Sequence, residues 1–391
     1  MDCPNSKRRA AAAAGPGLPE DAILEILARV PARSIHRFMC VSRRWRDLIA
    51  DPLHRRRFPQ TLEGFFFSDA EGSFFAGMPG IPAPLFDRRF SFLTKLPGND
   101  SGIRLLHSCN GLLLFGHGAG YVVCNPATEQ WVAVPGPGAG GCPSSAAPTY
   151  IVVSDGPAAS LCFHLIHLWQ KGPYVVEVLT YSSESGAWVK SADKRRPWQE
   201  GGGWRAWALF MGNAFVDGML HFTVFHHDMG KYLIVGLDWE GTTCRVMSWP
   251  DKHGLTGLFL GRSQGRLYCM TACQEDKFFN QTGISIWVLQ NPGAEAECVP
   301  GAEAEWVLKH NVNFLKLFGQ RECRVHVDYD VVAIHPDFSL VFFVQHGSRK
   351  LIAYDMDNEK VYDLRTIRQT YGLCTPYVPC YSELSVLANK Y

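Results

Sequence analysis

The chain has 391 residues, of which 47% are hydrophobic and 19% are charged, and this is the composition of an ordered globular protein with room for two or three domains. No apolar run approaches the ~18 residues of a membrane-spanning helix, so we expect no membrane partner. The net charge is +1, but residues 1–60 hold 12 Lys and Arg against 6 Asp and Glu, a balance of +6, and the rest of the chain carries −5.

The basic first segment is not predicted to bind nucleic acid. Its Arg residues alternate with a tight apolar pattern and lack interleaved aromatic residues that could stack on bases, which favours an acidic protein partner. Residues 1–17 are basic and rich in alanine, and they are predicted to be a disordered tail rather than a secretory signal. The thirteen cysteines lie at irregular spacing without a Cys-x-x-Cys pair, which predicts reduced thiols in a cytoplasmic or nuclear protein.

Three short amphipathic helices are predicted between Leu18 and Pro52. Pro19 suits the start of the first helix, where its missing N–H costs nothing, and Pro31 ends that helix. Its apolar face is predicted to contain Ile23, Leu24, Ile26, Leu27 and Val30. The second helix carries Ile35, Phe38 and Met39, and the third, capped by Ser42, carries Trp45, Leu48 and Ile49. About 35 residues bury only a small core, so this apolar excess predicts a docking surface.

The motifs of this segment resemble an F-box in their order and spacing: Leu18-Pro19-Glu20, Val30-Pro31, Cys40-Val41-Ser42 and Arg44-Trp45. The resemblance implies docking on a Skp-family adaptor and, through it, on the cullin scaffold of an SCF-type ubiquitin ligase. It also implies that the residues in contact with the adaptor, or in direct support of those contacts, are Leu18, Pro19, Val30, Pro31, Ile35 and Trp45. In a helical module without a ligase role, Trp45 would be a core residue only.

Residues 53–60 are predicted to be a basic connector, after which short β-rich runs separated by turn residues replace the helical spacing. From about residue 103 a unit of four short strands recurs in about five copies of roughly fifty residues, a period typical of propeller blades. Tight turns are predicted at residues 110, 217, 264 and 337. Because one four-stranded sheet cannot cover both of its faces, neighbouring units are expected to stack.

The run from Tyr381 to Leu387 is predicted to be a last strand that pairs with strands between Leu62 and Ser73, completing a sixth blade and closing the ring. The strand pattern, the Trp residues that follow turns and the domain order resemble the F-box-associated, kelch-like propeller domain of plant F-box proteins, although the kelch double-Gly motif is missing. The resemblance implies a small all-α F-box over residues 18–52, followed by an all-β propeller-like domain of about five to six blades over residues 61–391.

Two catalytic-type motifs have better non-catalytic interpretations. Residues 261–265 fit G-x-S-x-G around Ser263, but a strand follows where a hydrolase needs a helix, so a hairpin turn is predicted. Residues 136–141 fit G-x-G-x-x-G, but no helix follows to meet a pyrophosphate, so a loop between blades is predicted. His164 and His167 are three apart in a strand and point to opposite faces, so they cannot share a metal. We therefore expect no enzymatic activity, no metal and no cofactor.

The target-binding surface is predicted on one rim of the propeller, in its longest loops: residues 136–149, 190–205, 271–283 and 290–305. The second loop and the residues just after it carry residue types that are typical of binding hot spots, namely Arg195, Arg196, Trp198, Trp204 and Trp207. The alternative is that these Trp residues cap the interfaces between blades.

The sequence thus predicts a substrate receptor of an SCF-type ligase, in which the F-box binds the adaptor and the propeller holds a target protein for ubiquitin transfer. Two other hypotheses stay open. The propeller could be a ligase-independent scaffold or a glycan- or metabolite-binding module, and Ser263 could serve a hydrolase.

Overall fold

The computed structural model describes residues 18–30, 34–35, 38, 43–50, 54, 62–69, 72–79, 86–87, 90–93, 103–138, 148–155, 161–172, 174–191, 204–205, 211–250, 257–274, 281–291, 304–367, 373–380 and 384–390. The chain separates into two compact units, residues 1–59 and residues 60–391, which are described separately below. Within the described residues, no helix has the length and apolar character required to span a bilayer.

The first unit is helical. Its described elements include α1 (Glu20–Leu27) and α2 (Arg43–Ala50), and Ser34, Ile35 and Phe38 between them are also helical. Pro19 lies directly before α1 and its carbonyl accepts the backbone N–H of Ile23 at 3.1 Å, while Glu20 and Asp21 occupy the positive end of the helix dipole. The buried core of the unit consists of Ile23, Leu24, Leu27, Ile35, Leu48 and Ile49.

The second unit is built of short strands. In chain order they are β1 (Gly64–Asp69), β2 (Gly72–Gly77), β3 (Arg104–Cys109), β4 (Leu112–His117), β5 (Gly120–Asn125), β6 (Gln130–Val134), β7 (Thr149–Asp155), β8 (Leu161–Lys171), β9 (Tyr174–Ser182), β10 (Ala187–Lys190), β11 (Trp204–Arg205), β12 (Asn213–Val216), β13 (Met219–His226), β14 (Lys231–Asp238), β15 (Cys244–Ser248), β16 (Gly257–Ser263), β17 (Arg266–Gln274), β18 (Gln281–Asn291), β19 (Glu305–Asn313), β20 (Tyr329–Ile334), β21 (Leu340–Gln345), β22 (Lys350–Asp355), β23 (Lys360–Thr366), β24 (Leu373–Tyr377) and β25 (Ala388–Lys390). A short helix, α3 (Phe314–Phe318), and two 3₁₀ turns, Ser91–Leu93 and Ser385–Leu387, complete the described elements.

Consecutive strands pair antiparallel in five meanders: β3–β6, β7–β10, β12–β15, β16–β19 and β20–β23, called meanders 1 to 5. The two-residue strand β11 pairs with both β9 and β13, and so joins meanders 2 and 3 into a nine-stranded sheet. Strand β24 pairs with β1, and β1 pairs with β2, forming a three-stranded sheet called the closing sheet.

The described part of the unit holds a hydrophobic cluster between each pair of neighbouring sheets. Meanders 1 and 2, 2 and 3, 3 and 4, and 4 and 5 each share one cluster, and the closing sheet shares one with meander 5 and another with meander 1. The first strands also meet: β3 contacts β7 and β24, and β16 contacts β12 and β20, which in turn contacts β24. The inner strands of the meanders are thus largely buried between neighbouring sheets, as stacking of blades requires, while the outermost strands β10, β19 and β23 are largely exposed.

Three of the four predicted tight turns have left-handed backbone at both central residues, as a two-residue hairpin turn demands. The φ angles are 48° and 84° at Asn110-Gly111, 51° and 76° at Asp217-Gly218, and 50° and 74° at Gln264-Gly265. The fourth turn, at Asp337, is different because Pro336 cannot adopt a positive φ. There the ring Nδ1 of His335 accepts the backbone N–H groups of Asp337 and Phe338 at 3.0 and 3.1 Å.

The strand predicted from Tyr381 to Leu387 is wrong over residues 384–387, residues 381–383 lie outside the described residues, and β24 pairs with β1 instead. Residues Ser385–Leu387 form a 3₁₀ turn whose Leu387 is buried against meanders 1 and 2, and β25 then pairs in parallel with β6. Strand β24 contains Pro376, and a proline argues against predicting a central strand from the sequence because it has no backbone N–H to donate. It is tolerated because β24 is an edge strand that pairs only with β1 among the described strands.

Meander 4 also differs from its predicted extent. The predicted loop at 271–283 is shorter, because β17 continues to Gln274 and β18 begins at Gln281. After β19, the unpredicted helix α3 starts at the cap residue Asn313, whose side chain accepts the backbone N–H of Lys316 at 2.8 Å, and ends at Gly319 with φ 72°.

Two Trp residues link neighbouring meanders in the same way. Trp188 of β10 donates its indole N–H to the carbonyl of Pro135 at the end of meander 1, at 2.7 Å. Trp306 of β19 donates to the carbonyl of Ser248 at the end of meander 3, at 3.1 Å. In each case the outermost strand of one meander is fastened to the outermost strand of a neighbour.

Replacing Trp306 with Phe is expected to lower the free energy of unfolding by about 1 kcal/mol, because the ring is kept and one hydrogen bond is lost. The measurement is the midpoint of urea unfolding. Val307→Ala, on the exposed neighbouring residue, is the matched control and is expected to stay within about 0.5 kcal/mol of the parent. A Trp306→Phe midpoint equal to that of the parent would show that this bond adds nothing.

Candidate functional site

The helical unit exposes a small apolar surface at the start and on one side of α1. Leu18 is 54% exposed, Ile26 is 44% exposed, and Pro19 is also exposed. Ile26 was predicted to face the core with its neighbours, but at about 100° per residue it lies some 160° from Leu24 around the helix axis. The core therefore takes Leu24, Ile23 and Leu27, and Ile26 points to solvent.

The other predicted adaptor residues are less exposed. Ile35 is buried in the core of the unit, and Val30 is half-buried against it. Trp45 is also half-buried and meets the Phe38 ring edge-on, with 5.2 Å between ring centroids. Pro31 lies outside the described residues. Leu18, Pro19 and Ile26 thus form the exposed apolar surface, called the α1 surface below, while Ile35 and Trp45 support the unit from inside.

The predicted target-binding residues of the second unit fall into two groups. Arg195, Arg196, Trp198 and Trp207 lie outside the described residues. Trp204 is described and is only 3% exposed. It belongs to β11, where it pairs with His226 and packs into the cluster between meanders 2 and 3.

The burial of Trp204 agrees with the alternative that Trp residues of this segment pack at interfaces between blades. Its neighbour Arg205 pairs with Tyr174 and holds its guanidinium 5.6 Å from the centre of that ring. Because β11 fills the gap between β9 and β13, the Trp204 ring has a structural place in the core. It is not part of the exposed surface.

Comparison with protein families gives two matches. Residues 16–57 match the F-box domain, and residues 88–383, well over half of the chain, match the family described as "F-box protein At3g26010-like, beta-propeller". The chain belongs to this family. The expected plant-type F-box protein with a propeller domain is therefore confirmed.

Relatives of this F-box propeller protein are F-box proteins of Arabidopsis thaliana. F-box protein At3g26010 is 25% identical over 361 residues, which cover 86% of this chain and 76% of that protein. Putative F-box/kelch-repeat protein At1g15680 is 23% identical, with coverages of 88% and 82%. Putative F-box protein At5g15660 is 29% identical over 129 residues, 31% of this chain, and the match spans only 29% of its length.

The catalytic-type motif of this F-box propeller protein lies in a hairpin, as predicted. Ser263 ends β16 and pairs with Arg266 across the Gln264-Gly265 turn. Its side chain is buried and its hydroxyl donates to the carbonyl of His335 at 2.7 Å, which ties meander 4 to meander 5. A serine held in this way lacks the strand-to-helix geometry of a hydrolase nucleophile.

The histidines of β8 occupy separate sites. The Nε2 of His164 bonds to the Ser154 hydroxyl at 2.8 Å, whereas the Nδ1 of His167 bonds to the Thr149 hydroxyl at 2.8 Å. Among the described residues, no group of three or more His, Cys, Asp or Glu side chains is arranged to hold a metal ion.

Proposed function

We propose that this F-box protein is the substrate-recognition subunit of an SCF-type ubiquitin ligase, acting in the cytoplasm or nucleus without catalysing a reaction itself. The F-box match over residues 16–57 supports docking on a Skp-family adaptor, and through it on a cullin. The propeller would hold a target protein near the ubiquitin-transferring subunits, so its contribution is proximity and orientation. The observation that carries the proposal is this pairing of an F-box with a second, independently packed unit.

The same proposal includes the number of helices in the F-box and the number of blades in the propeller. The helical residues Ser34, Ile35 and Phe38 between α1 and α2 support a three-helix F-box. Five meanders and the closing sheet, with one hydrophobic cluster for each neighbouring pair, support a propeller of six blades. The loop with Arg195, Arg196 and Trp198 stays a candidate for target contact.

The α1 surface is proposed as part of the adaptor contact, since exposed apolar side chains in a small module gain most from burial against a partner. The double variant Leu18→Asp/Ile26→Asp is expected to weaken adaptor binding by about 100-fold or more. Burial of each apolar side chain against the adaptor is worth about 1.5–3 kcal/mol, and the variant loses both contributions. Both residues are exposed, so the helical core should stay intact. The measurement is the dissociation constant for a purified Skp-family adaptor.

The matched control is Leu315→Asp, which places the same charge on another exposed Leu, in α3 of the propeller. It is expected to bind the adaptor like the parent. Unchanged adaptor binding by the double variant would remove Leu18 and Ile26 from the contact. Failure of the parent protein itself to bind any Skp-family adaptor would contradict the ligase proposal.

A further inference from the structure

A cavity of about 260 Å³ opens between the outer strands of meander 2 and the turn that follows β14 in meander 3. We call it the Trp239 groove. The residues that matter for its chemistry are His164, Thr180, Tyr181, Val189, Trp239 and Glu240. They come from β8, β9, β10 and the β14–β15 turn, so two neighbouring meanders build it together.

The turn that forms one wall of the groove is fixed before any ligand arrives. The carboxylate of Asp238 accepts the backbone N–H groups of Thr242 and Thr243, at 2.7 and 3.0 Å. Gly241 has φ 68°, and its carbonyl accepts the Ser191 hydroxyl next to β10. A preformed wall of this kind loses little conformational entropy on binding.

The inner wall is aromatic and carries a buried polar group. His164 is 2% exposed, and its ring contacts the Trp239 ring in a tilted arrangement, with 4.2 Å between the ring centroids. Its Nε2 is occupied by the Ser154 hydroxyl, whereas its Nδ1 has no hydrogen-bond partner among the described residues. Burial lowers the pKa of His164 to about 4, so the imidazole is neutral at pH 7 and offers its free nitrogen without a charge.

The volume of the groove indicates what kind of group it can hold. Pockets for drug-sized ligands have volumes of roughly 300–1,000 Å³, so a smaller cavity suits a single side chain of a protein partner. Trp239, Tyr181 and the exposed Val189, which is 58% exposed, give apolar and aromatic contact area. An aromatic side chain with a polar tip matches these walls, because a buried Tyr hydroxyl or Trp N–H needs a hydrogen-bond partner and His164 can be that partner.

The charges at the mouth of the groove indicate which residue of the target should lie beside its aromatic side chain. Lys190 forms an ion pair with Glu177 at 3.1 Å, and the Asp238 carboxylate accepts the hydroxyl of Thr242 in its own turn. The exposed carboxylate of Glu240 takes part in no ion pair among the described residues. A basic residue beside the aromatic anchor would complement Glu240, and residues 61–391 as a whole carry an acidic excess.

We propose that the Trp239 groove is a target-recognition pocket that receives one Tyr or Trp side chain of a target protein, with an adjacent Arg or Lys facing Glu240. This inference rests on the proposed function as a substrate receptor and names the target chemistry of that function. It places recognition at the junction of meanders 2 and 3.

The test uses the full chain and a fluorescein-labelled hexapeptide, Gly-Ser-Arg-Tyr-Ser-Gly, with binding followed by fluorescence anisotropy. Peptides with Leu in place of Tyr, or Glu in place of Arg, are the matched probes, and each is expected to bind at least about tenfold more weakly. Equal binding of the Leu peptide would overturn the aromatic anchor. Equal binding of the Glu peptide would overturn the basic neighbour, and no measurable binding of the Tyr peptide would overturn the pocket.

Two variants locate the binding. Val189→Trp fills the groove from an exposed strand position and is expected to abolish peptide binding, and Glu240→Lys is expected to weaken it about tenfold. Glu184→Lys, an equal charge change in the exposed β9–β10 turn, is the control and should bind like the parent. Peptide binding that survives Val189→Trp in a folded protein would place the pocket elsewhere.

Adaptor binding separates the two proposals. The groove variants are expected to keep the adaptor affinity of the parent, because they lie in the other unit of the chain. If the adaptor binds and the Tyr peptide does not, the groove inference fails while the receptor function stands. If the peptide binds and the adaptor does not, the ligase role fails.

Discussion

Deleting residues 373–391 is expected to unfold the propeller domain as a whole. Strand β24 pairs with β1 from Gly64 opposite Tyr377 to Ser68 opposite Leu373, and it also contacts the first strands of meanders 1 and 5. Its removal would expose the edge of β1 and open the clusters on both faces of the closing sheet. The free energy of unfolding of a domain is typically about 5–15 kcal/mol, and we expect the loss of these strand pairings and buried contacts to exceed it.

Tyr377 carries much of this effect. Its ring is fully buried and lies 5.2 Å from the ring centroids of Phe66 and Phe86. Just beyond β24, the Asn125 side chain donates to the carbonyl of Cys380 at 2.6 Å, which fastens the segment to meander 1. Tyr377→Ala is therefore expected to cost about 3–5 kcal/mol, the usual range for removing a large buried ring.

The measurements are near-ultraviolet circular dichroism and urea unfolding. Deletion of residues 388–391 alone is the matched control, because it removes β25 and leaves β24 in place. The control is expected to keep a cooperative transition with a modestly lower midpoint. A cooperative transition at the parent midpoint in the protein that ends at residue 372 would show that the domain does not depend on this closure.

Local signals in the sequence predicted most of the propeller. The pairs Asn110-Gly111 and Asp217-Gly218 specify hairpin turns by themselves, because few residues other than Gly, Asn and Asp accept left-handed backbone. In Gln264-Gly265 only the glycine carries this signal, although Gln264 also has a positive φ. The strands on either side follow from short β-rich runs. These features act over a few residues, so they can be read from one sequence.

Features that depend on distant partners were missed. Strand β24 contains Pro376 and is recognisable only by its pairing with β1, some three hundred residues earlier in the chain. Strand β11 has two residues, and its existence depends on the gap between β9 and β13. The outward position of Ile26 depends on which side of α1 meets Ile35 and Leu48.

Of the two candidate sites, one was predicted from local motifs and the other depends on residues that are distant in the sequence. The F-box was predicted from its motifs, and Leu18 and Pro19, two of the predicted adaptor residues, are exposed in the structure. The Trp239 groove had no sequence signal, because Glu240 is brought beside Thr180 only when meanders 2 and 3 pack, and Thr180 then donates to the Glu240 carbonyl at 3.4 Å. An aromatic residue after a strand, such as Trp239, would be the one local hint.

Acid is expected to unfold the propeller between pH 7 and about pH 5, well before its carboxylates are protonated. Five histidines have their pKa lowered from 6.5 to about 4, and in each case the main cause is burial: His107, His164, His167, His221 and His335. Between these two values the unfolded chain binds more protons than the folded one. Stability is therefore full above pH 6.5 and falls as the pH drops toward 4.

The size of the effect follows from the proton count. Each such histidine contributes at most about 1.4 kcal/mol per pH unit inside its window, so the five together remove about 9 kcal/mol between pH 7 and pH 5. Burial raises the pKa of Asp337, so its protonation favours the folded state and acts in the opposite direction. One carboxyl group acting in this direction cannot offset five imidazoles.

Urea unfolding of the full chain at a series of pH values measures this slope. His167→Gln is expected to reduce the slope by about 1.4 kcal/mol per pH unit, because it removes one imidazole that must stay neutral between Thr149 and Tyr121. Leu315→Gln, at an exposed position that carries no titratable group, is the control and should leave the slope unchanged. A stability that stays flat from pH 7 to pH 5 would mean that these imidazoles gain protons without opening the core.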